Sequence, residues 1–151
     1  GLVRYAGEHE RDVDFITYAG WRPIAGPRTR AHQVSRDWVA AALDNGAAVL
    51  LNIGAYAQQA DRSLTRIGGH WVNLRAVDGD SLLVHDPAPA NVKQAGHRVR
   101  IQDERLLAQD ANRTRFHRGD IGALILDGLT RPEAADILAL DAAIALRLSA
   151  P

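Results

Sequence analysis

The chain has 151 residues, 46% of them hydrophobic, enough to bury one core and too few to argue for two, so a single domain over 1–151 is expected. Lys plus Arg and Asp plus Glu stand at 18 each, so no net field draws a polyanion to the surface, which argues against nucleic acid as a partner. Apolar runs such as Ala47 to Leu51 stop within a few residues, far short of the roughly 20 that cross a bilayer, and no membrane span is expected.

There is no Cys and no Met, and the first residue is Gly1. Without Cys there is neither a disulfide nor a thiolate metal site, and the redox compartment is not legible. The first residues lack the basic start and apolar stretch of a secretory signal. The missing initiator Met leads to the expectation of a processed chain or a piece of a longer product. An alanine- and arginine-rich composition points to a bacterial source, with cytoplasmic and secreted locations both open.

In chain order, residues 1–34 are rich in charge, Gly and Pro and are expected to be irregular, with apolar islands at Val13 to Ile16 and Trp21 to Ile24. Ser35 can cap a helix whose Trp38, Val39, Ala42 and Leu43 recur at helical spacing, and Gly46 supplies a left-handed stop. Ala47 to Ile53 reads as a buried strand, and Tyr56 to Gly69 as a polar loop. His70 to Ala76 and Ser81 to Asp86 are two strand-like runs around Asp78-Gly79, a strong hairpin signal. His97 to Ile101 alternates like an exposed strand, and Ile121 to Leu126 looks like a last buried one, ended by Asp127 and Gly128. Thr130 and Glu133 form a capping box ahead of Ile137, Leu140, Ile144 and Leu148, a stripe that predicts a C-terminal helix within 129–151. The body of the domain is then 35–128, a helix plus an antiparallel sheet.

If the hairpin turn is centred near Asp78, His70 lies across from Asp86. Alternation then places His70, Val72 and Leu74 on one face with Leu82, Val84 and Asp86. A slip of one residue would separate the two polar groups. An Asp beside a His accepts a hydrogen bond from one ring nitrogen, fixes the tautomer and favours the imidazolium formed when the other nitrogen takes a proton. The plainer alternative is that the two merely close the open end of a hairpin.

The run Gly68-Gly69-His70-Trp71-Val72-Asn73-Leu74, followed by Asp86-Pro87 after a Leu-Leu-Val-His strand, resembles the double-glycine, bacteriocin-processing branch of papain-like cysteine peptidases. The resemblance covers roughly 35–87. It implies an α+β papain-like fold, an antiparallel sheet carrying the hairpin and packed with a few helices. It further implies His70 as general base and acid, Asp86 as its orienting carboxylate, and Trp71 as a neighbouring wall of a peptide groove. The departure is equally plain: that family carries a Gln and a nucleophilic Cys on a preceding helix, and here Gln33 precedes no Cys. The thiol-bearing helix is absent, and an imidazole alone has nothing to activate.

Two functional expectations follow. One is a peptidase-related domain hydrolysing a peptide bond in a peptide or protein substrate, its Cys lying upstream or on the N-terminal fragment of the same protein after self-cleavage; a secreted toxin or effector fits this scheme. The other is a catalytically inactive module of the same fold that binds a peptide or protein partner. An unrelated α+β domain with an ordinary hairpin is a third outcome. Ser35, Ser63, Ser81 and Ser149 are weaker nucleophile candidates, Ser35 being better explained as a cap and Ser81 by its place beside the turn. His85 points away from Asp86, while His97 and His117 sit among Arg residues and read as surface groups. No H-x-x-x-H or Cys spacing supports zinc, and no cofactor is expected.

Overall fold

The computed structural model describes residues 2–9, 11–21, 28–31, 33–88, 96–119 and 122–149. Its elements in chain order are α1 (Leu2–Glu8), β1 (Val13–Gly20), β2 (Arg28–Ala31), α2 (Arg36–Asp44), β3 (Ala48–Gln58), β4 (Leu64–Asp78), β5 (Ser81–His85), β6 (His97–Ala108), β7 (Arg115–Gly119), β8 (Ala123–Asp127) and β9 (Ile137–Leu148). Antiparallel pairing runs from β3 to β4, β5, β6, β8 and β9, and β9 returns to β3, so six strands close into a barrel without a free edge. Outside this ring, β7 bridges β6 and β4, β1 lies against β9, and β2 pairs in parallel with β1.

A six-stranded barrel is narrow, and its interior is filled by side chains rather than solvent. Leu51, Leu82, Val84, Val99 and Leu140 have no exposed surface, and Val72 and Leu74 are buried beside them. Each such side chain contributes about 1.5–3 kcal/mol by leaving water. α2 lies at one end of the barrel. The Ser35 hydroxyl accepts from the Trp38 N–H at 3.1 Å, Val39 enters the core, and Gly46 ends the helix at a φ of 74°. Arg36 meets Asp80 in the β4–β5 turn at 2.9 Å, which fixes the helix at the turn end of that hairpin. A second apolar cluster forms on the outer surface of the barrel wall: Tyr56, Leu106, Ile125 and Ile137 pack with Phe116 of β7. Phe116 meets Tyr56 and Trp21 edge to face, with centroids 5.1 and 5.2 Å apart.

This architecture overturns the α+β papain-like fold and the resemblance that implied it. Strands account for 59% of the structure, the sheet closes into a barrel, and the described residues hold only two short helices. The expected C-terminal helix over 129–151 is instead strand β9. The reason is its position: β9 is paired with β3 along one edge and with β8 and β1 along the other, and Ile137 to Ala143 are buried without interruption, Leu138, Leu140 and Ala143 in the main core and Ile137 and Ala139 in the second cluster. A strand buried on both faces loses the in-out alternation, and an Ala- and Leu-rich run then mimics a helical stripe. Residues 1–34 are not irregular where described, since they carry α1, β1 and β2. The predicted loop over 56–69 is also shorter, β3 and β4 extending until 59–63 join them. β7 went unpredicted, and the predicted strand at Ile121 begins at Ala123, Ile121 itself lying outside the described residues. The helix from Ser35, the strand after Gly46 and the hairpin across Asp78-Gly79 all form as the sequence pattern predicts.

Candidate functional site: a His–Asp pair at the open end of a hairpin

β4 and β5 turn through Gly79 and Asp80, with Asp78 paired to Ser81 and Gly79 at a φ of +56°. The register then slips between Leu74 and Ala76, and the last paired residues are Asn73 and His85. Continuing that register puts Asp86 opposite Val72, with His70 one step further out along the same face. The direct opposition of His70 and Asp86 predicted from the turn is therefore off by two residues. An even slip preserves the face, because side chains alternate with period two. Val72, Leu74, Leu82 and Val84 are all buried on that face.

The diagonal is closed by the side chains, His70 Nε2 lying 2.5 Å from Asp86 Oδ1. The Asp86 side chain is 6% exposed and that of His70 45%. Asp86 follows the last residue of β5 and precedes Pro87, which has no N–H with which to continue a ladder. The Ala88 N–H donates to the same Oδ1 at 2.8 Å, a local turn that holds the carboxylate in place. On the other side His70 is paired with Ile53 of β3, a core residue, so the ring rises from the barrel packing. An ionised carboxylate can only accept, so Nε2 carries the proton it donates, and in the neutral ring Nδ1 keeps the lone pair. His70 Nδ1 has no hydrogen-bond partner among the described residues. The arrangement can take up a proton at Nδ1 while Asp86 stabilises the imidazolium that results.

Trp71 does not share this site. Adjacent residues on a strand point to opposite faces, and Trp71, paired with Asn52 and 42% exposed, stands on the outer face of the barrel. There it lines a pocket of about 340 Å³ with Tyr18, Asn52, Arg66, Gly69, Asp141 and Ala142. Three of the four Ser residues are otherwise engaged: Ser35 caps α2, Ser63 donates to Asp61 at 2.6 Å, and Ser149 donates to the Asp12 carbonyl at 3.2 Å, while Ser81 is paired with Asp78 at the turn end of the hairpin. His97 and His117 are not simple surface groups, since His97 Nε2 and His117 Nδ1 are buried, with no hydrogen-bond partner among the described residues. No group of three His, Asp or Glu side chains converges as metal ligands among the described residues.

A second polar cluster escaped the sequence reading. Asp141, in the middle of β9, accepts from Tyr56 Oη at 2.6 Å and from Arg66 Nε at 2.6 Å, and Arg66 Nη2 donates to Asn52 Oδ1 at 2.9 Å. Burial pushes the Asp141 carboxyl above the ordinary carboxylate range, against the lowering effect of the Tyr56 and Arg66 hydrogen bonds. The cluster also accounts for two glycines. A Cβ at Gly54 would overlap the Asp141 carboxylate, and one at Gly69 would overlap the Arg66 guanidinium. The available signal was a lone acid inside the apolar run from Ile137 to Leu146.

No family model, no curated protein and no solved structure matches the chain. What fold and site define is a small closed antiparallel β-barrel bearing an oriented imidazole. Among the described residues no helix is long and apolar enough to cross a membrane.

Proposed function

We propose that His70 and Asp86 are the proton-handling part of a hydrolytic site for peptide bonds, with the nucleophile supplied from outside this sequence. The observation that carries the reading is the 2.5 Å contact between a buried carboxylate and a half-exposed imidazole whose second nitrogen has no partner among the described residues. That combination suits a general base, which must be held in one tautomer and still reach a reacting group. The chain has no Cys, Ser35, Ser63 and Ser149 serve caps and loops, and Ser81 stands at the turn end of the hairpin, away from His70, so this reading takes the thiol or hydroxyl from another segment of the same protein or from another chain.

The lack of a nucleophile within these residues also favours a second reading, a non-catalytic module that binds a peptide or protein and keeps the pair to close the hairpin. One experiment separates the two. The full-length gene product is treated with an acylating peptide probe, alongside its His70→Ala and Asp86→Asn variants. Labelling that His70→Ala abolishes and Asp86→Asn reduces supports the hydrolytic site. Labelling that is absent, or indifferent to both changes, leaves the binding module.

A further inference from the structure

The pocket under Trp71 lies on the opposite side of β4 from His70, and its polar groups divide unevenly between donors and acceptors. Both Asp141 oxygens accept from within the cluster, Oδ1 from Tyr56 and Oδ2 from Arg66. Asn52 Oδ1 accepts from Arg66, which fixes how the amide is turned. Each of these side-chain oxygens therefore already accepts one bond from within the cluster. Donors remain: Arg66 Nη1 and both hydrogens on Asn52 Nδ2 have no partner among the described residues. The Arg66 side chain is 14% exposed, so its donors sit close to the protein rather than free in solvent. Beside them stands the Trp71 indole, 42% exposed, a flat apolar wall over a floor made shallow by Gly69 and Ala142.

A concave space of about 340 Å³ lined by both surplus donors and an aromatic plane is complementary to a small molecule that offers acceptors and a flat apolar face. We infer that this pocket binds a small planar carboxylate, its oxygens taken by Arg66 Nη1 and Asn52 Nδ2 and its ring laid against Trp71. The Arg66 charge, already half committed to Asp141, still favours a carboxylate over a neutral carbonyl, because a donor on a charged group makes the stronger bond. The site is independent of the His70–Asp86 pair, so failure of either proposal leaves the other standing.

The test uses sodium benzoate as the probe, with benzamide and benzylamine as its neutral and cationic counterparts. Each is titrated into the uniformly ¹⁵N-labelled chain while the Trp71 indole N–H cross-peak, assigned from Trp71→Phe, is followed. A saturable shift is expected with benzoate, with affinity for benzamide about tenfold weaker and none for benzylamine. Asn52→Asp keeps the oxygen that accepts from Arg66 and exchanges the donating group for an acceptor. Benzoate affinity should fall at least about tenfold in this variant, with the remaining spectrum unchanged. If Asn52→Asp does not fold, Asn52→Leu, which removes the same donors without adding charge, should lose affinity in the same sense. No saturable shift with benzoate, equal or tighter binding of benzamide or benzylamine, or unchanged binding in the folded Asn52 variant would each overturn the proposal.

Discussion

Gly54 of β3 lies directly against the Asp141 carboxylate of β9, so close that no side chain fits between them. The missing Cβ is what lets a charged group enter the outer wall of the barrel and reach Tyr56 and Arg66. A Gly54→Ala chain must displace a carboxylate clamped from two sides. Overpacking of this kind costs about 1–3 kcal/mol, and a urea titration should show the midpoint falling accordingly with an unchanged slope. An Ala at 54 without effect would mean that Asp141 moves aside freely and that the clamp is not rigid.

Tyr56→Phe tests the clamp from the other side. It removes the hydroxyl that donates to Asp141 Oδ1 and leaves the ring packed against Phe116. The loss is that of one hydrogen bond to a buried charged acceptor, about 1.5–3 kcal/mol at neutral pH. The deficit should shrink as the medium is acidified and Asp141 takes a proton, which stability curves at two pH values would reveal.

Acid titration should separate the carboxylates by sign. Asp141 has its folded pKa raised, chiefly by burial, so its favourable contribution is present below the unfolded value of about 3.9 and is lost as pH rises through the folded one. Asp110 is the reverse case. Hydrogen bonds from the Thr114 hydroxyl and backbone N–H hold its pKa down, so its contribution is present above the unfolded value and is lost as pH falls through the folded one. Asp141→Asn should therefore remove a decline in stability above the acid range, whereas Asp110→Ala should weaken the chain near neutrality and converge on the parent in strong acid. Midpoints of urea unfolding across the acid limb read both effects, and parallel profiles for the two variants would contradict the assignment.

Leu140 sits in β9 between β3 and β8 with no exposed surface. Leu140→Ala should cost about 2–5 kcal/mol, the range for emptying a core leucine site, as read by calorimetry or urea. A value near zero would place the residue away from the barrel interior, as no closed barrel with this register allows.

The legible parts of the molecule were those whose signals are local. Ser35 and Gly46 announce a helix by their chemistry at its two ends, and Asp78-Gly79 announces a hairpin by the backbone conformation it permits. The pairing of His70 with Asp86 was legible because it depends on that turn and on parity, both robust to a slip of two residues. What failed depends on distant pairing. Ile137 to Ala143 carries no in-out alternation because both of its faces are buried, one in the barrel core and one in the second apolar cluster, and nothing within the segment distinguishes it from a helix. The same blindness hid barrel closure and the contact between Asp141 and Arg66, which only β3, β4 and β9 side by side bring about. Trp71 was assigned to the His70 groove by adjacency in sequence, but neighbours on a strand face opposite ways.

Long-range ¹H–¹⁵N correlation of the His70 ring reads directly whether the buried Asp86 carboxylate holds the imidazole through Nε2. With Nε2 donating to Asp86, the spectrum should show a proton on Nε2, and Asp86→Asn should disturb that signal while leaving His85, His97 and His117 as they were. A His70 ring with no proton on Nε2, or a ring spectrum unmoved by Asp86→Asn, would mean that the two groups do not meet and that the site has no oriented base.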